Sequence, residues 1–218
     1  MSRLCHWVKE PFPGISHFVG ALLSVAALVV LVSRADGRVM HLVSFAVYGA
    51  SLILLYLASA MAHSIHCSPR TGEHLDRLDY SAIFLLIAGT YTPICLVPLR
   101  GAWGWTLLAG VWSLAAVGIL SVWVWRSRKT WARVTIYLCM GWLCLLATGE
   151  IFRTFPASAI GWLVAGGAIY SVGAVVFITD RPRLWPGRFV AHDLWHLMVL
   201  AGSACHFMVM LEFIAPHA

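Results

Sequence analysis

His192 and His196 stand four residues apart near the start of the chain's last apolar segment. On a helix, that spacing puts two imidazoles about 40° apart in angle and about 6 Å apart in height, so both lie on one face. Two neutral imidazoles so placed can chelate one divalent metal. A third protein ligand with an open fourth position would complete the arrangement of catalytic zinc sites. Ten histidines in 218 residues make one such pair weak evidence by itself, and two interfacial histidines are the plain alternative. The other polar residues have to decide.

Two of them fall at the same membrane depth as the pair. His63 ends the second apolar segment, Asp79 precedes the third, and counting crossings puts both on the face where His192 and His196 begin the seventh. Ser59 precedes His63 by four residues, one turn deeper on the same face. An ionisable residue inside a span is a functional candidate because the bilayer makes it costly. The set reads as a metal site, with Asp79 as a further ligand or proton carrier; a structural network of interfacial hydrogen bonds is the alternative. His66 and His74 read as solvated loop residues; Ser16-His17 begins the first span on the same side, where a contact to the site is the lesser of its readings. His206 lies about 15 Å deeper than His196, which suits an interhelical hydrogen bond and not the same metal. Asp193 points about 100° away from His192 and reads as a helix-start residue, favourable near the N-terminal dipole. Glu150 and Glu212 read as interfacial, Asp76 and Arg77 as surface charges.

The elements that must hold these residues are helices in lipid. The chain is 61% hydrophobic and only 11% charged, against roughly 25% charge in a soluble domain. Its apolar runs of about 17–23 residues each suffice to cross a bilayer core of about 30 Å. Seven spans are expected at about 15–33, 41–61, 80–98, 103–125, 134–152, 160–178 and 193–214, in an all-α, single-domain seven-helix membrane bundle covering 1–218. Short loops predict antiparallel neighbours, and the longest connection, about 62–79, is polar and carries histidines. Pro93 is expected to bend the third span. The i,i+4 pairs Gly161/Ala165 and Gly167/Ser171 would allow close helix approach. Trp103 and Trp105 at one end of the fourth span, with Trp123 and Trp125 at the other, fit interfacial belts.

Lys and Arg set the orientation. One side carries eleven: Arg3, Lys9, Arg70, Arg77, Arg126, Arg128, Lys129, Arg133, Arg181, Arg183 and Arg188. The other carries four: Arg34, Arg38, Arg100 and Arg153. A cytoplasmic N-terminus and an external C-terminus follow. The net charge of +6 is thus loop charge and not a nucleic-acid footprint. The six cysteines, Cys5, Cys67, Cys95, Cys139, Cys144 and Cys205, form no CxxC pair and read as small hydrophobes. No cleavable signal peptide is evident.

Three blocks carry a resemblance. They are Leu55-Tyr56-Leu57-Ala58-Ser59 with His63-Ser64; Arg77-Leu78-Asp79-Tyr80-Ser81-Ala82-Ile83 running to Ala88-Gly89-Thr90-Tyr91-Thr92-Pro93; and His192-Asp193-Leu194-Trp195-His196 continuing through Ala201-Gly202-Ser203 to Cys205-His206-Phe207. Over nearly its whole length the chain resembles the haemolysin III family of bacterial membrane proteins. That family is related to the progestin and adipoQ receptors, including the adiponectin receptors, and more distantly to the alkaline ceramidases. The resemblance implies a multi-pass protein of the bacterial plasma membrane with a three-histidine Zn²⁺ site. His63, His192 and His196 match its metal ligands, Asp79 its acidic residue near the bound water, and Ser59 the accompanying serine. Two positions depart from the pattern: Pro13 stands where an asparagine is usual, four before His17, and Ala62 where a tyrosine is frequent.

Three functions remain open on this basis. One is a zinc hydrolase of a lipid amide (a ceramidase-like reaction), with Asp79 and Ser59 as catalytic residues and a ceramide-like lipid or its fatty acid as ligand. The second is a membrane-lipid receptor or regulator with a structural zinc. The third is a cytolytic or pore-forming protein, for which the spans offer no ring of charges and no amphipathic β pattern.

Overall fold

The apolar runs fold as helices, the fifth with a break, and most of the ends fall near proline, glycine or charge. The structure, a computed structural model, describes residues 8–124, 130–182, 184–185 and 188–217. Helix α1 spans Pro11–Ser33, α2 Val39–Ser64, α3 Pro69–Leu96 and α4 Ala102–Val124. Helix α5 spans Thr130–Gly141, a 3₁₀ turn follows at Leu143–Ala147, and α6 runs Thr148–Thr154. Helix α7 covers Ala157–Thr179 and α8 Ala191–Val209, which ends in a π-type turn, Met210–Ile214. Taking Thr130–Thr154 as one unit and Ala191–Ile214 as another, seven helical stretches among the described residues are long and apolar enough to cross a membrane. The fold class is all-α. Cys5, Trp125, Arg3, Arg126, Arg128, Lys129 and Arg183 lie outside the described residues.

Sequence neighbours pack together as α1 on α2, α2 on α3, α3 on α4 and α7 on α8, and α1 also packs on α8. That last contact closes the first span against the last, which matters for the site. Helix α3 is the most enclosed, with 61% of its most apolar window buried against 17% for Thr130–Thr154. The central helix therefore carries Asp79, close to one end of the bundle.

Two expectations are corrected. The stretch 62–79 is not a long polar loop: α2 runs on to Ser64 and α3 starts at Pro69, leaving a four-residue link. Hydropathy marks only the part of a helix that lies in lipid, and the first turns of α3 are polar but well specified. Ser68 accepts from the Thr71 backbone N–H at 3.3 Å, Pro69 occupies the first turn, and Arg77 bonds Glu73 at 2.7 Å one turn away. His74 therefore sits on α3, stacked near the Trp123 ring of α4 at 6.1 Å.

The fifth span is broken where a continuous helix was expected. The Tyr91 hydroxyl of α3 donates to the Gly141 carbonyl at 2.8 Å and accepts from the Cys144 N–H at 2.9 Å. These bonds serve backbone groups that the break frees from the helical ladder, the condition for non-helical backbone at membrane depth.

Close approach between α7 and α8 uses different small residues from those singled out in the sequence. A Cβ on Gly173 would meet Trp195 at 2.9 Å, and one on Gly202 would meet Tyr170 at 2.6 Å. Gly161 faces open space, whereas Gly167 and Ser171 together receive the Trp142 indole, whose N–H donates to Ser171 at 3.0 Å.

Candidate metal centre

The site is assembled from four helices at one end of the bundle. His63 closes α2, Asp79 lies on α3, His192 and His196 open α8, and the start of α1 covers them. Helix α8 is pinned at its first turn by Asp193, whose carboxylate accepts from the Val190 N–H at 2.9 Å, the helix-start role expected for it. That fixes the turn on which His192 sits. Phe177 of α7 packs on the His192 ring at 5.8 Å.

His63, His192 and His196 converge, with one nitrogen from each lying within 4.8 Å of the other two. The Nε2 atoms of His192 and His196 are 3.1 Å apart. A tetrahedral ion with Zn–N bonds of 2.0–2.1 Å needs its ligand nitrogens about 3.3 Å from one another; the His192–His196 pair already has nearly that spacing, and His63, within 4.8 Å of both, would close in to complete the set. The chemistry of the donors agrees, since neutral imidazole suits zinc and its first-row neighbours. The three histidines can hold a metal.

Asp79 stands beside this group. Its Oδ2 is 4.0 Å from His63 Nε2, and its side chain retains only 15% of its exposure. The buried Ser59 hydroxyl approaches the same carboxylate. All five residues singled out from the sequence therefore meet at one end of the bundle. His66 is exposed in the link, as expected. His206 is partly buried and stacks on Tyr170 at 5.6 Å, and its buried Nδ1 has no hydrogen-bond partner, so a ring contact stands where a hydrogen bond was expected.

Glu10 was missed in the sequence. Its Oε2 lies 2.7 Å from His63 Nδ1 and 3.8 Å from His192 Nε2, while its backbone N–H donates to the His63 carbonyl at 2.8 Å. Glu10 is also the N-cap of α1, yet its side chain makes no capping bond. The reason lies in the next residues. An N-cap side chain normally accepts from the N2 or N3 backbone N–H. Pro13 occupies N3 and has none, which leaves the Phe12 N–H as the one such donor, and the carboxylate bonds His63 instead. The signal was present, because Glu10 precedes His17 by seven residues, about two turns on one face. His17 is buried and its ring nitrogens lie 3.0 and 3.2 Å from His196 Nδ1.

Over residues 5–207 the chain matches the haemolysin-III related family. The chain belongs to that family. It is 42% identical to Hemolysin-3 of Bacillus cereus over 221 residues, covering 100% of this chain and 98% of that protein. With the Hemolysin-3 homolog of Bacillus subtilis it shares 41% over 209 residues, 94% and 95% of the two chains. At 27% over 207 residues it is similar to the human monocyte to macrophage differentiation factor, covering 90% of this chain and 82% of the relative, a member of the progestin and adipoQ receptor group. For a haemolysin-III related protein, the geometry above supplies what a family name does not: which side chains face one another, and through which nitrogens.

Proposed function

We propose that the chain is a zinc-dependent hydrolase that cleaves an amide-linked lipid within the membrane. The observation that carries this reading is the convergence of three imidazoles beside a mostly buried carboxylate that is not one of the three. Three protein ligands with a position left open is the pattern of catalytic zinc sites, whereas structural sites are closed by four. When bound there, zinc polarises a substrate carbonyl and lowers the pKa of water. The remaining work falls to the chain. Asp79 accepts a proton from the attacking water and returns it to the leaving nitrogen, so that amide plus water becomes acid plus amine. Ser59 donates its O–H to the Asp79 carboxylate and holds the accepting group in place.

A lipid substrate is supported by the surroundings. A groove of about 290 Å³ between α1 and α2, lined by Gly14, Phe18, Leu57, Met61 and Ile65, runs past Ser64, the neighbour of His63. It is apolar and open, the chemistry that an acyl chain would meet. The distant likeness to alkaline ceramidases points to the amide linkage. The eleven-to-four excess of Lys and Arg supports a cytoplasmic location for this end of the bundle.

The name of the human relative, a differentiation factor, favours a second reading: a lipid-responsive regulator in which zinc is structural. Purified protein assayed against ceramide-like amides and matched ester lipids separates the two. Hydrolase action predicts fatty-acid release from an amide, loss with a chelator and recovery with Zn²⁺. No turnover of any lipid by metal-replete protein would remove the hydrolase and leave the regulator.

A further inference from the structure

We propose that the start of α1 is the outer layer of the metal site: Glu10 and His17 are positioning residues that hold His63 and His196 with Nδ1 protonated and Nε2 free for a metal. This rests on the three-histidine metal reading and adds to it a role for a helix that supplies no ligand.

The proton assignment follows from the contacts. A carboxylate only accepts, so at 2.7 Å from Glu10 Oε2 it is His63 Nδ1 that carries the hydrogen. The lone pair of His63 is then on Nε2, the nitrogen that faces Asp79. At His17 both ring nitrogens lie near His196 Nδ1, Nε2 at 3.0 Å and Nδ1 at 3.2 Å, and the proposed arrangement keeps the hydrogen of Nε2 on the His196 carbonyl. There His17 Nε2–H donates to that carbonyl at 3.4 Å, which leaves His17 Nδ1 to accept from His196 Nδ1–H at 3.2 Å. The His196 lone pair is therefore on Nε2, the atom that faces His192 Nε2 at 3.1 Å. In both cases a group on α1 takes the outer nitrogen and turns the inner one into a ligand. A metal-bound histidine almost always has such a partner, which fixes its tautomer and ring orientation.

The helix is held where it can do this. Besides Glu10 N–H to the His63 carbonyl, Lys9 N–H donates to the Ser64 carbonyl at 3.3 Å, and Phe12 packs edge-on against Phe189 at 5.0 Å, just ahead of α8. These backbone and ring contacts do not need the Glu10 carboxylate. Removing that carboxylate therefore tests the positioning role without undoing the anchor.

The test is metal affinity of the full-length protein in detergent, by competition with a chromophoric chelator, using Co²⁺ and Zn²⁺ alone as probes. Glu10→Ala should raise the dissociation constant about 10–100-fold and alter the Co²⁺ ligand-field spectrum. Glu10→Gln should recover much of the loss, because its side-chain carbonyl still accepts from Nδ1–H. His17→Ala should weaken binding independently, so that the two losses multiply in the double variant. The metal-free melting temperature of Glu10→Ala should match that of the wild type. Wild-type affinity and spectrum in Glu10→Ala would overturn the proposal. So would an affinity loss matched by a lower metal-free melting temperature and not rescued by glutamine, since that marks a general structural role. If the wild type binds no more Co²⁺ than a His192→Ala/His196→Ala variant, the metal reading itself fails and the inference falls with it, a result distinct from the other two.

Discussion

The Nε2 atoms of His192 and His196 stand 3.1 Å apart on successive turns of α8, the first ring partly exposed and the second buried. Two imidazole nitrogens at that distance share either a proton or a cation. The third nitrogen, from His63, comes from the far end of α2. Nothing in the local structure of either helix requires that meeting.

It follows that metal content should depend on these side chains and not on the other histidines nearby. Elemental analysis of purified protein should find about one equivalent of zinc per chain, by the three-ligand logic of such sites. His192→Ala and His196→Ala should each lose most of it. His66→Ala and His74→Ala, whose side chains are exposed, should retain it.

Loop charge predicts the topology. A reporter fused after residue 218 should behave as exported, and one inserted within 126–133 as cytoplasmic. The reverse pattern would move the metal centre to the outer face of the membrane.

Tyr91 separates the fold from the chemistry. Its hydroxyl serves both sides of the break in the fifth span, at the Gly141 carbonyl and the Cys144 N–H. Tyr91→Phe leaves those groups unpaired, at a cost of about 1–3 kcal/mol. The expected result is a lower melting temperature with unchanged zinc per folded chain, read by thermal unfolding alongside elemental analysis.

Much of this was legible in the sequence because lipid imposes a simple rule. Uninterrupted apolar runs become helices, and parity then places His63, Asp79, His192 and His196 at one end. What hydropathy could not report is where a helix continues outside the lipid, and so the polar first turns of α3 from Pro69 onward read as loop. Glu10 was obscured for a related reason. A lone acid before a first span looks like solvated charge, and only the fold shows that α1 packs on both α2 and α8 and brings the carboxylate to His63. His206 misled in the opposite sense, since a histidine deep in a span invites a hydrogen bond, and the Tyr170 ring stands there instead.

Hydrolysis of a ceramide-like amide by zinc-replete wild type and Asp79→Asn, with metal content measured on the same samples, tests the central claim most directly. An amide in place of the Asp79 carboxylate cannot accept the water's proton, so Asp79→Asn should keep its zinc and lose about 10²–10⁴-fold in rate. Ser59→Ala should also keep its zinc and lose less, because it removes one hydrogen bond to a carboxylate that is still present. Full activity in an Asp79→Asn protein that holds its full complement of zinc would contradict the account.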